Sequence, residues 1–193
     1  LSPRLFYRDV KDYIQGTATG VIPAVMFSTM MGIPQPLQFN NVDAAIYGFD
    51  MDWSYDLSAS WALSGLINYV RGERDDVDDN LYRIAPLNGS VKLAYRANQW
   101  GGGVEAILFD DQDKTSATNN EQPSDGYGLI NVSAYWQATA GLRLALGVDN
   151  ALDEDYADHL SGVYRVTGNP DIAQGERIPG YGRNLFARID YQF

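Results

Sequence analysis

The sequence predicts an all-β protein made of about eight antiparallel transmembrane strands that belong to a β-barrel. Apolar and polar residues alternate along most of the 193 residues, as in strands with one apolar face. The connections alternate between long and short, which is typical of outer-membrane barrels. Four tryptophans lie beside short turns and share the parity of the apolar face: Trp53, Trp61, Trp100 and Trp136. One rim of an interfacial aromatic girdle has this pattern.

The composition argues against several other classes of protein. A net charge of -11 disfavours nucleic-acid binding through neutralised phosphates. The chain has no cysteine, so a disulfide framework and a thiolate metal site are impossible. The longest apolar run, near residues 21–27, contains Pro23 and is far shorter than the ~20 residues of a spanning helix. A soluble β-sandwich is the structural alternative, but it gives no reason for every tryptophan to lie at one end.

The predicted elements alternate regularly along the chain. Residues 5–14 form the first predicted strand, and residues 16–41 form a long loop with three prolines. The further predicted strands are 45–55, 61–70, 87–96, 100–109, 130–136, 142–149 and 185–193. Short turns at 56–60, 97–99 and 137–141 alternate with polar loops at 72–83, 110–126 and 150–182.

The last stretch supports the barrel. It is apolar at Leu185, Ala187, Ile189, Tyr191 and Phe193, with mostly polar residues between them. A soluble sheet seldom ends on an apolar edge strand, because exposed edges pair with other chains. In a closed barrel the last strand has a partner, so such an ending is favoured there. Since no signal region precedes the first predicted strand, we expect the tail of a longer chain.

Three segments resemble parts of the TonB-dependent outer-membrane receptors. Residues 148–156 (VDNALDEDY) resemble their Asn-Leu-Phe-Asp-x-x-Tyr segment, with Ala151 and Leu152 in place of Leu-Phe. Residues 178–183 (IPGYGR) resemble their Pro-Gly-x-Gly-Arg lead into the last strand. Residues 45–50 (AIYGFD) resemble a segment in which Gly is followed by an acidic residue.

The resemblance implies a 22-stranded barrel in the bacterial outer membrane, with an N-terminal plug domain and metal-chelate import powered through TonB. Residues 1–193 would be the C-terminal portion of one barrel domain, without the plug and the segment that contacts TonB. Outer-membrane lipid and lipopolysaccharide are expected partners, whereas nucleic acid is not. We expect no resident cofactor, because the metal ion or chelate would be cargo.

A finer resemblance points to the copper-receptor branch of the family. It lies in residues 80–86 and 158–166. Thioether and imidazole groups suit copper, and they occur in two predicted outer loops. Met26, Met30 and Met31 lie in one, and His159, the single histidine, lies in the other. These four are the candidate metal ligands; the alternative is that the methionines pack and His159 is an ordinary loop residue.

Other chemistry and other functions are less well supported. Without cysteine a nucleophile–base pair would need His159, and no Gly-x-Ser-x-Gly motif is present, so we do not expect an enzyme. The acidic segment 73–80 could hold a divalent cation shared with lipopolysaccharide, or could be a solvated loop. Inward Asp50, Asp52 and Glu105 should bond inward cations: Lys92, Arg96, Arg143 and Arg188. A complete eight-stranded anchor or adhesion barrel and a passive porin are the rival functions.

Overall fold

The computed structural model describes residues 1–18, 37–164 and 168–192, which form one eight-stranded antiparallel sheet. The strands are β1 Ser2–Ala18, β2 Leu37–Asp56, β3 Trp61–Arg74, β4 Asn88–Arg96, β5 Trp100–Phe109, β6 Tyr127–Gln137, β7 Leu142–Asp149 and β8 Asn184–Tyr191. Each strand pairs with the next along the chain, so sheet order equals sequence order. A 3-10 turn, His159–Ser161, lies between β7 and β8. Within the described ranges, no helix has the length and apolar character needed to cross a membrane.

The sheet confirms the predicted all-β fold and its antiparallel strands. β5 and β7 have the predicted bounds, and β3 begins at the predicted residue, Trp61. β8 ends at Tyr191, and Phe193 lies outside the described residues.

The first three strands are longer than predicted. Residues 16–18 pair with residues 37–39, although all of them lie in the segment predicted as a loop. β3 continues to Arg74, which lies inside the loop predicted at 72–83. Cross-strand pairing outweighs the polar and glycine-containing composition at these strand ends.

One face of the sheet is apolar and exposed. Side chains of equal parity form rows across the strands, such as Trp53, Gly65 and Val91. Large apolar side chains on this face are exposed to solvent: Leu146 is 65% exposed and Leu185 is 75% exposed. The described strands form a single sheet, with none left to cover this face, so the soluble-sandwich alternative is wrong. Such a face suits contact with lipid.

The opposite face carries charged side chains, several of which contact an opposite charge or an aromatic ring. Arg4 contacts both Asp50 and Asp52, with 3.2 Å between Nη2 and the Asp52 carboxylate. The predicted cation partners of these two aspartates are therefore wrong. Their partner is Arg4, because this residue of β1 lies directly opposite Asp50. Three of the expected cations have other neighbours: Arg96 lies 3.8 Å from Asp56, Arg188 lies 2.7 Å from Asp190, and Arg143 lies 3.9 Å from the Tyr135 ring centroid.

Strands β1 and β8 form the two edges of the sheet. Among the described residues these two strands do not pair or pack with each other, so the eight strands do not close into a barrel. An edge strand presents unpaired backbone N–H and C=O groups. Inside a membrane such groups require further hydrogen-bonding partners.

Candidate functional site

Three of the long connections, those with described residues, leave the sheet at the same end, because every strand is antiparallel to its neighbours. They are residues 75–87, 110–126 and 150–183, and we call their described parts the loop layer. The short turns lie at the opposite end of the sheet. In a membrane barrel the long connections face outward, so the loop layer would lie on the outer side of such a barrel.

An apolar contact anchors the first of these connections. Leu81 is fully buried and packs against Val42 and Ala44 of β2. Gly72 on β3 makes room for it, since a Cβ atom there would lie 2.8 Å from Leu81 Cδ1. The next amide, Tyr82 N–H, donates to Gln15 Oε1 on β1 at 3.1 Å. The connection is therefore held against the inward face of β1–β3.

The carboxylate of Asp79 joins the first connection to the second. It accepts hydrogen bonds from Ala117 N–H at 2.7 Å and from Thr118 N–H at 2.9 Å. It also accepts from Ser116 Oγ at 3.2 Å and from Asn80 N–H at 2.8 Å. Burial raises the pKa of Asp79, but hydrogen bonds from Thr118, Ala117 and Asn80 outweigh burial, so the pKa lies below its ordinary value.

The carboxylate of Glu121 joins all three connections. It accepts from Arg83 N–H at 3.0 Å and from Ser116 N–H at 2.9 Å, and it lies 3.2 Å from His159 Nε2. The Glu121 side chain is only 6% exposed and that of His159 only 1%. Buried polar groups with several partners fix one arrangement of the segments that carry them. The loop layer is therefore one connected structure.

His159 lies inside this network. Its Nδ1 shares a hydrogen bond of 2.9 Å with Ser124 Oγ, so both ring nitrogens have protein partners. Its backbone oxygen accepts from Arg177 Nη1 at 2.6 Å. The side chains of Ser124, His159 and Glu121 are linked in series by hydrogen bonds, and these bonds lie within the loop layer. We read their role as positioning the loops.

The other candidate metal ligands, Met26, Met30 and Met31, lie outside the described residues. In the ranges that the structure does describe, no group of three or more His, Asp or Glu side chains is placed to hold a metal ion. In the acidic segment 73–80, Asp76 lies 2.6 Å from Arg74 and Asp79 is bonded to residues 116–118. Glu73 lies 3.0 Å from Arg71, so internal contacts account for three of its carboxylates.

A cleft of about 580 Å³ lies between the second and third connections. Tyr127 and Tyr156 line it, with 4.5 Å between their ring centroids, and Tyr127 also stacks on Phe109 with 4.7 Å between centroids. Tyr127 Oη donates to Asp158 at 2.9 Å. The other ionisable residues of the lining are Asp125, Glu154, Asp155 and Arg177. The lining can therefore hydrogen-bond a ligand.

The strand pattern did not single out these aromatic residues. Phe109 and Tyr127 are directly opposite across β5 and β6, but the predicted sixth strand began three residues later, at Ile130. Two aromatic residues at facing strand ends are a signal that could have found the pair. Tyr156 lies within the segment that carries the family resemblance, and no strand pattern pointed to it.

The chain is similar to known membrane receptors. The family described as "TonB dependent receptor-like, beta-barrel" matches residues 2–151. The vitamin B12 transporter BtuB of Vibrio vulnificus (strain YJ016) is 30% identical over 165 residues, which cover 80% of this chain and 23% of the relative. Among solved structures, the copper transporter OprC has a TM-score of 0.86 at 25% identity, with 99% of this chain and 28% of that chain covered.

A more distant structure shows the same fold. The pyoverdine outer membrane receptor FpvA of Pseudomonas aeruginosa PAO1 has a TM-score of 0.64 at 16% identity, with coverage of 99% of this chain and 27% of that chain. The present chain thus spans about a quarter of the length of these relatives. The predicted family and the predicted location are confirmed: the chain belongs to the TonB-dependent receptor β-barrels of the bacterial outer membrane.

Proposed function

We propose that the chain is the C-terminal portion of an active outer-membrane transporter that imports a metal ion or a metal chelate, with energy passed through TonB. The family match over residues 2–151 carries this proposal. The loop layer supports it, because a receptor needs a fixed surface at the end where ligand arrives. The named relatives are transporters and receptors, which favours transport over an enzymatic role.

The rest of the barrel and the plug would be supplied by sequence beyond these 193 residues. The two unpaired edges of the described sheet support this, since a spanning sheet must satisfy its backbone groups internally. A small anchor barrel would need β1 to pair with β8. A passive porin would have more strands but no plug.

Copper is the finer proposal for the cargo. Its support is the likeness to a copper transporter over 99% of the chain, together with three methionines in one connection. We propose Met26, Met30 and Met31 as the principal ligands. His159 would join them only if its bond to Ser124 or Glu121 broke, so we assign it the smaller share.

The test uses the whole protein in outer membranes of a deletion strain. An antibody against the C-terminal residues should detect a band several times heavier than 21.4 kDa, and copper uptake should require TonB. A triple Met→Leu variant at positions 26, 30 and 31 should lose copper uptake. The matched control is Met51→Leu, on the lipid face of β2, which should keep it.

Three different negative results would exclude different parts of this proposal. A band near 21.4 kDa would overturn the transporter and leave the small anchor barrel. TonB-independent uptake would favour the porin. Uptake of a ferric chelate or of cobalamin, with no copper uptake, would retain the transporter and remove copper as cargo.

A further inference from the structure

Two polar atoms of β1 are buried and have no hydrogen-bond partner among the described residues: Gln15 Nε2 and Thr17 Oγ1. The whole Gln15 side chain is covered, since this residue is only 3% exposed. Tyr82 fixes the orientation of its amide, because a backbone N–H can only donate and therefore faces Oε1. The other end of the amide, Nε2, carries two N–H donors. A buried donor without an acceptor is costly, so these donors indicate a partner that bears an acceptor.

The two atoms belong to an uncharged polar patch. Gln15 and Thr17 lie on one face of β1, because side chains alternate along a strand. Their cross-strand partners on β2 are Asn40 and Gln38, and both of these residues are exposed. Directly paired residues share a face of the sheet, so these amide and hydroxyl side chains lie together. The paired stretches 13–18 and 37–42 contain no charged residue.

We propose that this patch binds the oxygen acceptors of a neutral metal chelate. The inference rests on the proposed transport of a metal and names the chemical form of the cargo. An amide NH2 group donates hydrogen bonds and offers no acceptor, so Gln15 recognises an oxygen atom of the chelate and not the metal ion. The Thr17 hydroxyl donates to a second oxygen atom of the same ligand.

The lack of charge in the two paired stretches selects the form of the cargo. An anionic chelate would bring a charge that no residue of these stretches can pair, and an unpaired charge is unfavourable away from water. A hydrated cation presents the O–H donors of its water molecules, which do not complement the N–H donors of Gln15. A divalent metal held by two amino-acid carboxylates is neutral and presents carboxylate oxygens, so it satisfies both conditions.

The experiment measures the binding of bis(glycinato)copper(II) to the whole protein in detergent by isothermal titration calorimetry. Gln15→Glu keeps an oxygen atom to accept from Tyr82 N–H and replaces the free donor with a second oxygen. Thr17→Val keeps the shape of the side chain and removes the hydroxyl. The control is Asn41→Asp, the same amide-to-carboxylate change at an exposed residue on the opposite face of β2.

Both variants of the patch should bind the chelate more weakly. We expect a loss of affinity of about tenfold or more for Gln15→Glu and roughly threefold for Thr17→Val, because each removes a hydrogen bond to the ligand. Asn41→Asp should bind like the parent. Hydrated copper(II) is the second probe, and neither patch variant should change its binding.

Parent-like binding of the chelate in both patch variants, or an equal loss in the control, would overturn the proposal. An equal loss of affinity for hydrated copper(II) would overturn the assigned form of the cargo. Hydrogen exchange at the Tyr82 amide checks that Gln15→Glu keeps the first connection in place, and Thr17→Val decides the result if it does not. Binding is measured without TonB, so its failure is distinguishable from a failure of TonB-dependent import.

Discussion

The sheet and the loop layer are held together by different interactions. In the sheet, each strand pairs with the next one, and side chains lie beside cross-strand neighbours on the same face. In the loop layer, side chains bond groups far away in sequence, as Ser124 and His159 do across 35 residues and Tyr82 and Gln15 across 67. A repeating pattern therefore specifies the sheet, whereas a few single residues specify the loops.

The largest loss of stability should follow from a substitution at Leu81, the apolar residue that anchors the loop layer to the sheet. Leu81→Ala removes a fully buried side chain and leaves a cavity beside Val42, at a cost of about 2–5 kcal/mol. We expect this cost to appear as easier opening of the loop layer, measured by hydrogen exchange at the amides of residues 72–83, while β6 and β7 keep their protection.

Leu152→Ala is the matched control for Leu81, because it removes the same atoms from a loop-layer side chain that is 70% exposed. Its exchange should match that of the parent. If Leu81→Ala instead loosened the whole sheet equally, the sheet and loop layer would be one cooperative unit and the contrast between them would fail.

The next effect concerns the two faces of the sheet. Leu146→Arg places a charge on the lipid face of β7 and should cost about 2–4 kcal/mol near the middle of the bilayer. Ser133→Arg places the same charge on the opposite face of the neighbouring strand, beside Gly147, and should cost about 0.5 kcal/mol or less. Urea unfolding of the whole protein in lipid vesicles measures both. Equal costs for the two variants would mean that the apolar face does not meet lipid.

The same contrast explains what could be predicted from the sequence. Alternation alone placed β5 and β7, because every residue contributes to a period of two. It missed the ends of β1 and β2, where residues 16–18 are paired after a register shift between Val10 and Tyr13. A bulge of this kind changes parity, and a pattern with one fixed period cannot follow it.

The loop layer could be predicted only in part, for a different physical reason. Residue chemistry marked His159 as unusual, since it is the single histidine, and suggested a metal ligand. The structure places it between Ser124 and Glu121, which are 35 and 38 residues away. Such partners depend on how three connections fold together over the sheet, and no local pattern encodes that arrangement.

The smallest effect is a pH dependence confined to the loop layer. The pKa of Asp79 lies below its ordinary value, so the folded loop layer binds this proton more weakly than the open form does. The stabilisation from Asp79 is therefore complete above the ordinary aspartate pKa of about 3.9 and is lost as the pH falls through the lower folded value. Protease cleavage in residues 110–126 should become faster over that acidic range.

The Asp79→Asn variant tests this pH dependence. It should be cleaved faster than the parent already at neutral pH, and its cleavage rate should depend much less on pH. The control is Asp113→Asn, which changes an exposed residue beside Lys114 and should be cleaved like the parent. A parent-like acid profile in Asp79→Asn would show that the bond between the first two connections does not stabilise the loop layer.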